Sequence, residues 1–409
     1  MQFLYSLFIQ CYACLIKLAF VFSKKAKLWC VGRKNIFLFL EEQCAGKENI
    51  IWFHCASLGE FEQGKPLMEK IKQQEKNITL LVTFFSPSGF EVKKNDPIAE
   101  IITYLPVDTP KNAKKFIQIV KPKKVFFVKY EFWYNYIREL TKANIPFYYI
   151  SAIFREDQYF FKHYGKWFLK QLENCSFFFV QNEKSKNLLE RHGISKVMVT
   201  GDTRFDRVYT IAHQSYTLDF ILSFKENKKL LVAGSTWNPD EKLLSELFQK
   251  INTNYKLVIA PHLIEKAHID QIKKIFNSFS IICLSEKDKK NISDYEILII
   301  DNIGMLSKIY KYADISYIGG AFKTGLHNIL EAAVFEKPTF FGPHFQKFNE
   351  AVELVSQGAA FSVTQVEEMY QKILNFETNP AYYQATCKIC KTYVTQNLGA
   401  TDKIQSINH

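Results

Sequence analysis

The chain has 409 residues, too many for one ordinary core, and at roughly 100–200 residues per domain it implies two domains. Hydrophobic residues at 47% and charged residues at 23% exclude a disordered or fibrous chain. A formal net charge of +12 suits anionic partners (nucleic acid, acidic lipid or phosphorylated small molecules) without choosing among them.

Met1 to Phe22 is apolar except for Gln2, Ser6, Gln10 and Lys17. Those four, with Ala13, fall on one helical stripe. At ~1.5 Å per residue the segment just spans a bilayer core, while the stripe and Lys17 argue equally for a helix lying in the interface. The cluster Lys24, Lys25, Lys27, Arg33 and Lys34 reads against a cleaved signal peptide and holds the following domains in the cytoplasm. The other reading is a buried helix with no membrane role. Between Lys24 and Ile150 stand 21 Lys and Arg against 13 Asp and Glu, so this stretch carries most of the excess charge. A solvated lysine face and an anion-binding surface both fit it.

Strand and helix patterns then alternate. Strands are predicted at Ile50–Phe53, Thr79–Phe85, Lys124–Val128, Pro146–Ile150 and Phe177–Gln181, with a helix over Phe61–Gln74. After about residue 210 the rhythm restarts, with strands at Lys229–Ala233, Leu257–Ala260, Ile297–Ile300, Ile315–Ile318 and Thr339–Phe341, and a helix over Pro239–Ile251. The class is α/β: two parallel sheets covered by helices, in two Rossmann-like domains. The expected segments are a membrane-associated helix at 1–23, a domain at 24–210 and a domain at 211–409, whose last helix can pack back on the first. Functional residues belong in loops at the carboxyl ends of strands. The nine cysteines read as reduced cytoplasmic thiols. Of the C-x-x-C pairs, Cys11/Cys14 falls in the apolar segment and Cys387/Cys390 stands alone, so no zinc site is expected.

Four loci carry possible chemistry. In His54-Cys-Ala-Ser-Leu-Gly-Glu60, Gly59 permits a tight turn and Glu60 opens a helix. Ser57 and Glu60 are also spaced as a capping box, and a carboxylate beside His54 at a strand end suits a general base. Glu131, in Tyr130-Glu131-Phe132-Trp133, is a lone acid among aromatics. The turn Ala233-Gly-Ser-Thr236 followed by Asn238-Pro239 offers N–H groups and hydroxyls to a phosphate. Last come Ile318-Gly-Gly320, Gly325-Leu-His-Asn-Ile-Leu-Glu331 and Gly342-Pro-His344. Here the glycine pair lets a ligand approach the backbone. Asn328 and Glu331 share a helix face, and the carboxylate can hold a ribose diol.

In order along the chain, Trp52-Phe-His-Cys-Ala-Ser-Leu-Gly-Glu60, Glu131-Phe-Trp, Gly201-Asp-Thr-Arg-Phe-Asp206, Gly234-Ser-Thr236, Gly319-Gly320, His327-Asn-Ile-Leu-Glu331 and Gly342-Pro-His344 resemble the 3-deoxy-D-manno-octulosonic acid (Kdo) transferases of lipopolysaccharide synthesis. The resemblance covers nearly the whole chain. It implies a GT-B fold, with two Rossmann-like domains facing across a cleft, and an inverting transfer of Kdo from CMP-Kdo to a lipid A precursor (lipid IVA), with no metal or cofactor. It also implies a place on the cytoplasmic face of the bacterial inner membrane, through the N-terminal helix.

Position by position, the resemblance makes Glu60 the general base, and makes Glu131 and Arg204 transition-state stabilisers, with arginine where the family usually has lysine. Ser57 and Gly59 fall on the acceptor side. On the donor side fall Ser235, Thr236, Pro261, His262, Gly304, Met305, Leu306, Gly319, Gly320, Asn328, Ile329, Leu330 and Glu331. Where the family often has Pro-Arg-His this chain has Pro261-His262-Leu263, so His262 takes the place of an arginine. A Gly-Glu-Leu run is here Gly304-Met305-Leu306, and an Asn-Ala-Arg run is Ser151-Ala152-Ile153, with Arg155 nearby.

Two other readings compete. One is a GT-B enzyme using a UDP-sugar on a lipid-linked acceptor. The other is a tethered nucleic-acid or acidic-lipid binder, which leaves Glu60, Glu131 and Glu331 without a role. No helix-turn-helix, zinc-finger or RNA-binding signature occurs, so no nucleic-acid partner is expected.

Overall fold

The computed structural model describes residues 1–288, 290–323 and 325–407. The chain divides into two compact units, one of Met1–Arg207 with the residues from Leu398 onwards, the other of Val208–Asn397.

The first unit holds strands β1 (Ile50–Cys55), β2 (Thr79–Phe84), β3 (Ile101–Tyr104), β4 (Lys124–Val128), β5 (Phe147–Ala152), β6 (Phe177–Val180) and β7 (Val197–Val199). All pairings are parallel, in the order β3-β2-β1-β4-β5-β6-β7. Continuous apolar runs are what a parallel sheet covered on both faces requires. Strand β1 shows why: Ile50 and Trp52 enter one core with Leu81, Phe127 and Tyr149, while Ile51, Phe53 and Cys55 enter the opposite core with Val82 and Phe126. Strand order reverses at β1, which pairs with β2 on one side and β4 on the other. A crevice opens at the carboxyl ends of strands at such a switch point.

The second unit repeats the plan with β8 (Lys229–Thr236), β9 (Tyr255–Pro261), β10 (Ile281–Cys283), β11 (Ile297–Ile299), β12 (Ile315–Ile318), β13 (Thr339–Phe341) and β14 (Ala360–Ser362). The order is β10-β11-β9-β8-β12-β13-β14, again all parallel. Its switch point lies at β8, between β9 and β12. The two Rossmann-like series expected from the sequence are both present. The sequence pattern missed β3, β7, β10 and β14, which are the outer strands of the two sheets.

The N-terminal helix Gln2–Leu18 runs into a 3-10 turn, Ala19–Val21. Gln2–Val21 is long and apolar enough to cross a membrane. One of its faces nevertheless packs on the first unit. Ile9 and Ala13 are buried, Tyr5 packs against Tyr134, Trp167 and Phe168, and Tyr12 stacks on Phe85. The Tyr5 hydroxyl donates to Asp108 Oδ2 at 2.7 Å. Asp108 also accepts from the Asn135 and Tyr136 N–H groups, and burial pushes it up to about 6. Phe3, Leu4, Leu7, Phe8, Leu15 and Leu18 face outward, and Phe22 is 90% exposed. All nine cysteines are free thiols.

Candidate active site

In the first unit the switch-point strands β1 and β4 deliver the two acids. After β1 the chain turns at Ser57 into the helix Leu58–Gln74, with Glu60 in its first turn. The capping box forms: Ser57 N–H donates to Glu60 Oε2 at 3.0 Å, and Glu60 N–H to Ser57 Oγ at 3.5 Å. Structural cap and candidate base are therefore the same side chain, held in one rotamer by its own helix start. Gly59 lies inside that helix and does not make the tight turn its glycine suggested; its missing side chain leaves open space beside the helix start.

Glu60 is 8% exposed and Glu131 9%. Burial, then the charge of Glu131, pushes Glu60 up to about 8, against Lys129 and the Ser57 and Ala56 N–H groups. A carboxyl titrating there is matched to general-base work near neutral pH.

Glu131 follows β4 through Lys129, whose φ of 67° turns the chain at the strand end. Glu131 Oε2 accepts from Trp133 Nε1 at 2.8 Å and lies 3.2 Å from His54 Nε2. His54 is 0% exposed, and its Nδ1 lies 2.8 Å from Thr83 Oγ1, which also accepts from Trp52 Nε1 at 2.7 Å. Arg204 stands in a third element, the helix Thr203–Ala212. Its guanidinium bonds Asp202 Oδ2 at 2.7 Å, and the Arg204 N–H bonds Asp202 Oδ1 at 2.9 Å. Tyr130 feels the charges of both Arg204 and Glu60, so the three predicted catalytic residues share one neighbourhood. Lys129 and Thr83 were not singled out from the sequence, and Trp133 appeared there only as part of the Glu131-Phe-Trp motif. A lysine in left-handed conformation at the end of a switch-point strand carries no motif.

In the second unit, the carboxyl ends of β8 and β12 lie side by side. Ser235, at φ 54°, sits in a register shift against β9. Thr236 is buried and donates to Glu241 Oε1 at 3.1 Å, where His268 Nε2 also binds at 2.9 Å. Met305 and Leu306 lead into the helix Leu306–Ile309, whose first side chain packs against Gly234.

Three expectations change here. The space beside Gly319 and Gly320 is filled by neighbouring backbone. A side chain on Gly319 would strike the Ser235 carbonyl, and one on Gly320, at φ 95°, the Gly325 carbonyl; the Gly320 N–H is given to Asp240 Oδ2 at 3.0 Å. Close backbone packing by itself requires these glycines. Asn328 and Glu331 do bond each other, at 3.1 Å, but Asn328 precedes the helix, which is the single turn Leu330–Ala333. Ile329 and Leu330 between them are fully buried, so neither presents surface to a ligand. His262, following Pro261, stacks between Trp237 and His327, each ring 4.6 Å away. Loss of hydration pushes His262 down and His327 down to about 4. Near neutral pH both rings are uncharged, so His262 does not replace an arginine's charge. Trp237 and His327 were missed as site residues. The buried His327 Nε2 and Trp237 Nε1 have no hydrogen-bond partner among the described residues. Among the described residues, no group of three or more His, Cys, Asp or Glu could hold a metal ion.

Residues 32–207 match the family model described as 3-Deoxy-D-manno-octulosonic-acid transferase (kdotransferase). A bifunctional glycosyltransferase/methyltransferase of Fusobacterium nucleatum is 28% identical over 349 residues, covering 81% of this chain and 53% of that protein, so the chain spans about half of that relative's length. The 3-deoxy-D-manno-octulosonic acid transferase of Aquifex aeolicus is 26% identical over 342 residues, covering 82% of this chain and 88% of that protein. Among solved structures, a UDP-GlcNAc 2-epimerase from Neisseria meningitidis aligns over 87% of this chain and 98% of its own, with a TM-score of 0.61 at 17% identity, a likeness of fold alone. With its ordered motifs and paired Rossmann-like sheets, the chain is similar to the Kdo transferases over most of its length, and residues 32–207 match that family's model.

Proposed function

We propose that this protein transfers Kdo from CMP-Kdo to a lipid A precursor such as lipid IVA, with inversion and without a metal, in lipopolysaccharide core synthesis. The observation that carries the reading is the buried pair Glu60 and Glu131 at the β1/β4 switch point, with Glu60 titrating near 8. In this reading an acceptor hydroxyl oxygen attacks the anomeric carbon of Kdo while its proton passes to Glu60. The bond from that carbon to the CMP phosphate oxygen breaks, and its electron pair leaves with CMP. CMP departs as a stable anion, so its charge needs stabilising more than protonating. Glu131 and Arg204 stabilise the charge that develops on the sugar and the leaving group.

Residues 24–210, with Ser57 and Gly59, are the acceptor domain of this reading, and residues 211–409 the donor domain. The donor contacts are Ser235, Thr236, Pro261, Asn328 and Glu331, with the backbones of Gly304, Met305 and Leu306. Residues 1–23 lie on the cytoplasmic leaflet of the bacterial inner membrane. The outward Phe3, Leu7, Leu15 and Leu18 and the following lysines support that placement, because apolar side chains and nearby cations suit an anionic lipid surface.

The test is a coupled assay. Purified protein in detergent receives a CMP-Kdo-generating system and the lipid A precursor, with EDTA present, and product masses are read. Masses increased by one or more Kdo units support the whole reading. No product, with CMP but not UDP raising the melting temperature, overturns the acceptor alone. Stabilisation by UDP instead of CMP replaces the donor by a UDP-sugar.

A further inference from the structure

The buried histidine of the first unit takes no part in the reaction as written, yet it sits in the middle of an unbroken hydrogen-bonded chain. Trp52 Nε1 can only donate, and it donates to Thr83 Oγ1 at 2.7 Å. The Thr83 proton then has two possible acceptors, His54 Nδ1 at 2.8 Å and the Phe53 carbonyl at 3.5 Å. The shorter contact wins, so Nδ1 accepts and Nε2 carries the proton. Nε2–H points to Glu131 Oε2 at 3.2 Å, where the Trp133 indole N–H arrives at 2.8 Å. Two N–H donors on one oxygen fit an acceptor-only carboxylate. The surroundings are closed: Trp52, Phe127 and Trp133 rings pack around the imidazole, so water cannot replace it.

We propose that His54 is a positioning residue that acts through Glu131: Thr83 fixes its tautomer, and its Nε2–H holds Glu131 in place beside Glu60. The inference rests on the reading of Glu60 as the base. The other groups that act on Glu60 are Lys129, Tyr130 and the Cys55 thiol, with the Ser57 and Ala56 N–H groups. Those acting on Glu131 are His54, Trp133, Cys55 and Tyr149. Of these groups, Glu131 is the one that raises Glu60 by its charge. A Glu131 that turns away therefore lets Glu60 fall. Losing His54 should move the acid limb of the rate profile to lower pH, the same direction as removing the Glu131 charge.

The test compares kcat–pH profiles of His54→Leu, His54→Gln, Glu131→Gln and the double variant His54→Leu/Glu131→Gln, using the full chain in detergent. In His54→Leu the acid limb moves down by about one pH unit and kcat falls roughly tenfold, with KM unchanged. His54→Gln, whose amide N–H can reach Glu131, recovers part of both. In the Glu131→Gln background the histidine change moves the limb no further. If His54→Leu does not fold, Thr83→Val, of similar shape, gives the same shift on a smaller scale. An unmoved limb in a folded His54 or Thr83 variant, or an equal shift without the Glu131 charge, overturns the proposal while Glu60→Gln remains inactive. A Glu60→Gln variant that keeps wild-type rate and limb removes the reading of Glu60 as base, and the relay with it.

Discussion

Ser57 and Glu60 each bond the other's backbone N–H, so the helix carrying the candidate base is begun by the base itself. A glutamine can keep that box while giving up the negative charge. Glu60→Gln should therefore lose transfer by roughly 10²–10⁴-fold with no loss of melting temperature at the assay pH. Glu60→Ala should lose both activity and about 1 kcal/mol of stability. Transfer assays beside thermal melts separate the two; equal activity in Glu60→Gln and wild type would leave only the cap.

The raised Glu60 also predicts a pH dependence of stability. A carboxyl whose folded value is about 8 binds its proton more tightly folded than unfolded. Its contribution is complete below the ordinary carboxylate range and is lost as pH rises towards 8. Wild type should thus lose ground against Glu60→Gln, which does not titrate, between pH 5 and pH 8. Urea midpoints of the two proteins at both pH values check this, and a constant gap would contradict it.

Arg204 is bound to buried Asp202, which also accepts from Gln63 Nε2 at 2.9 Å. Removing the guanidinium leaves a buried carboxylate with only N–H partners. Arg204→Ala should cost about 2 kcal/mol, below the usual range for a broken buried pair because Gln63 remains. Arg204→Lys should restore part of the stability without the fork geometry. Denaturant titration of both variants gives the comparison; an Arg204→Ala protein as stable as wild type would show the pair to be dispensable.

His262, stacked on Trp237 and His327 and pushed towards the neutral form, brings no charge to an anionic donor near pH 7. His262→Arg should tighten CMP binding about fivefold, the scale of one charge-assisted contact. Calorimetry at pH 7.5 measures it, and weaker binding would mean the stack itself is what the nucleotide uses.

Tyr5 ties the N-terminal helix to buried Asp108. Tyr5→Phe removes one of three donors and should cost about 1 kcal/mol. The loss should appear as faster hydrogen exchange in Gln2–Leu18, with β1 and β4 unaffected. Uniform exchange changes would place the tyrosine in the global core instead.

Interior strands were legible because both faces are buried: Lys124–Val128, Ile315–Ile318 and Thr339–Phe341 have the same bounds in sequence pattern and structure. The outer strands were not. Val197–Val199 and Ala360–Ser362 are three residues long, and each has one buried residue. Too few side chains repeat there to show a period. The acids of the site were legible from their places after strands. Their electrostatics were not, because Thr83 and Lys129 approach through strand pairing and a positive φ, neither of which a local motif records. Gly319 and Gly320 misled for a related reason: a glycine needed by a neighbouring backbone looks, in sequence, like one needed by a ligand.

The return of the chain to its first unit has a consequence for synthesis. Asp206 holds the Gly399 N–H, the Thr401 N–H and the Thr401 hydroxyl, and Ile404 is buried in the core formed by Ile51, Phe53 and Val82. On the ribosome, Val208–Asn397 is complete before that core can close. The unit bearing Glu60 and Glu131, though translated first, is the last to finish folding, and must wait with its apolar N-terminal helix already exposed.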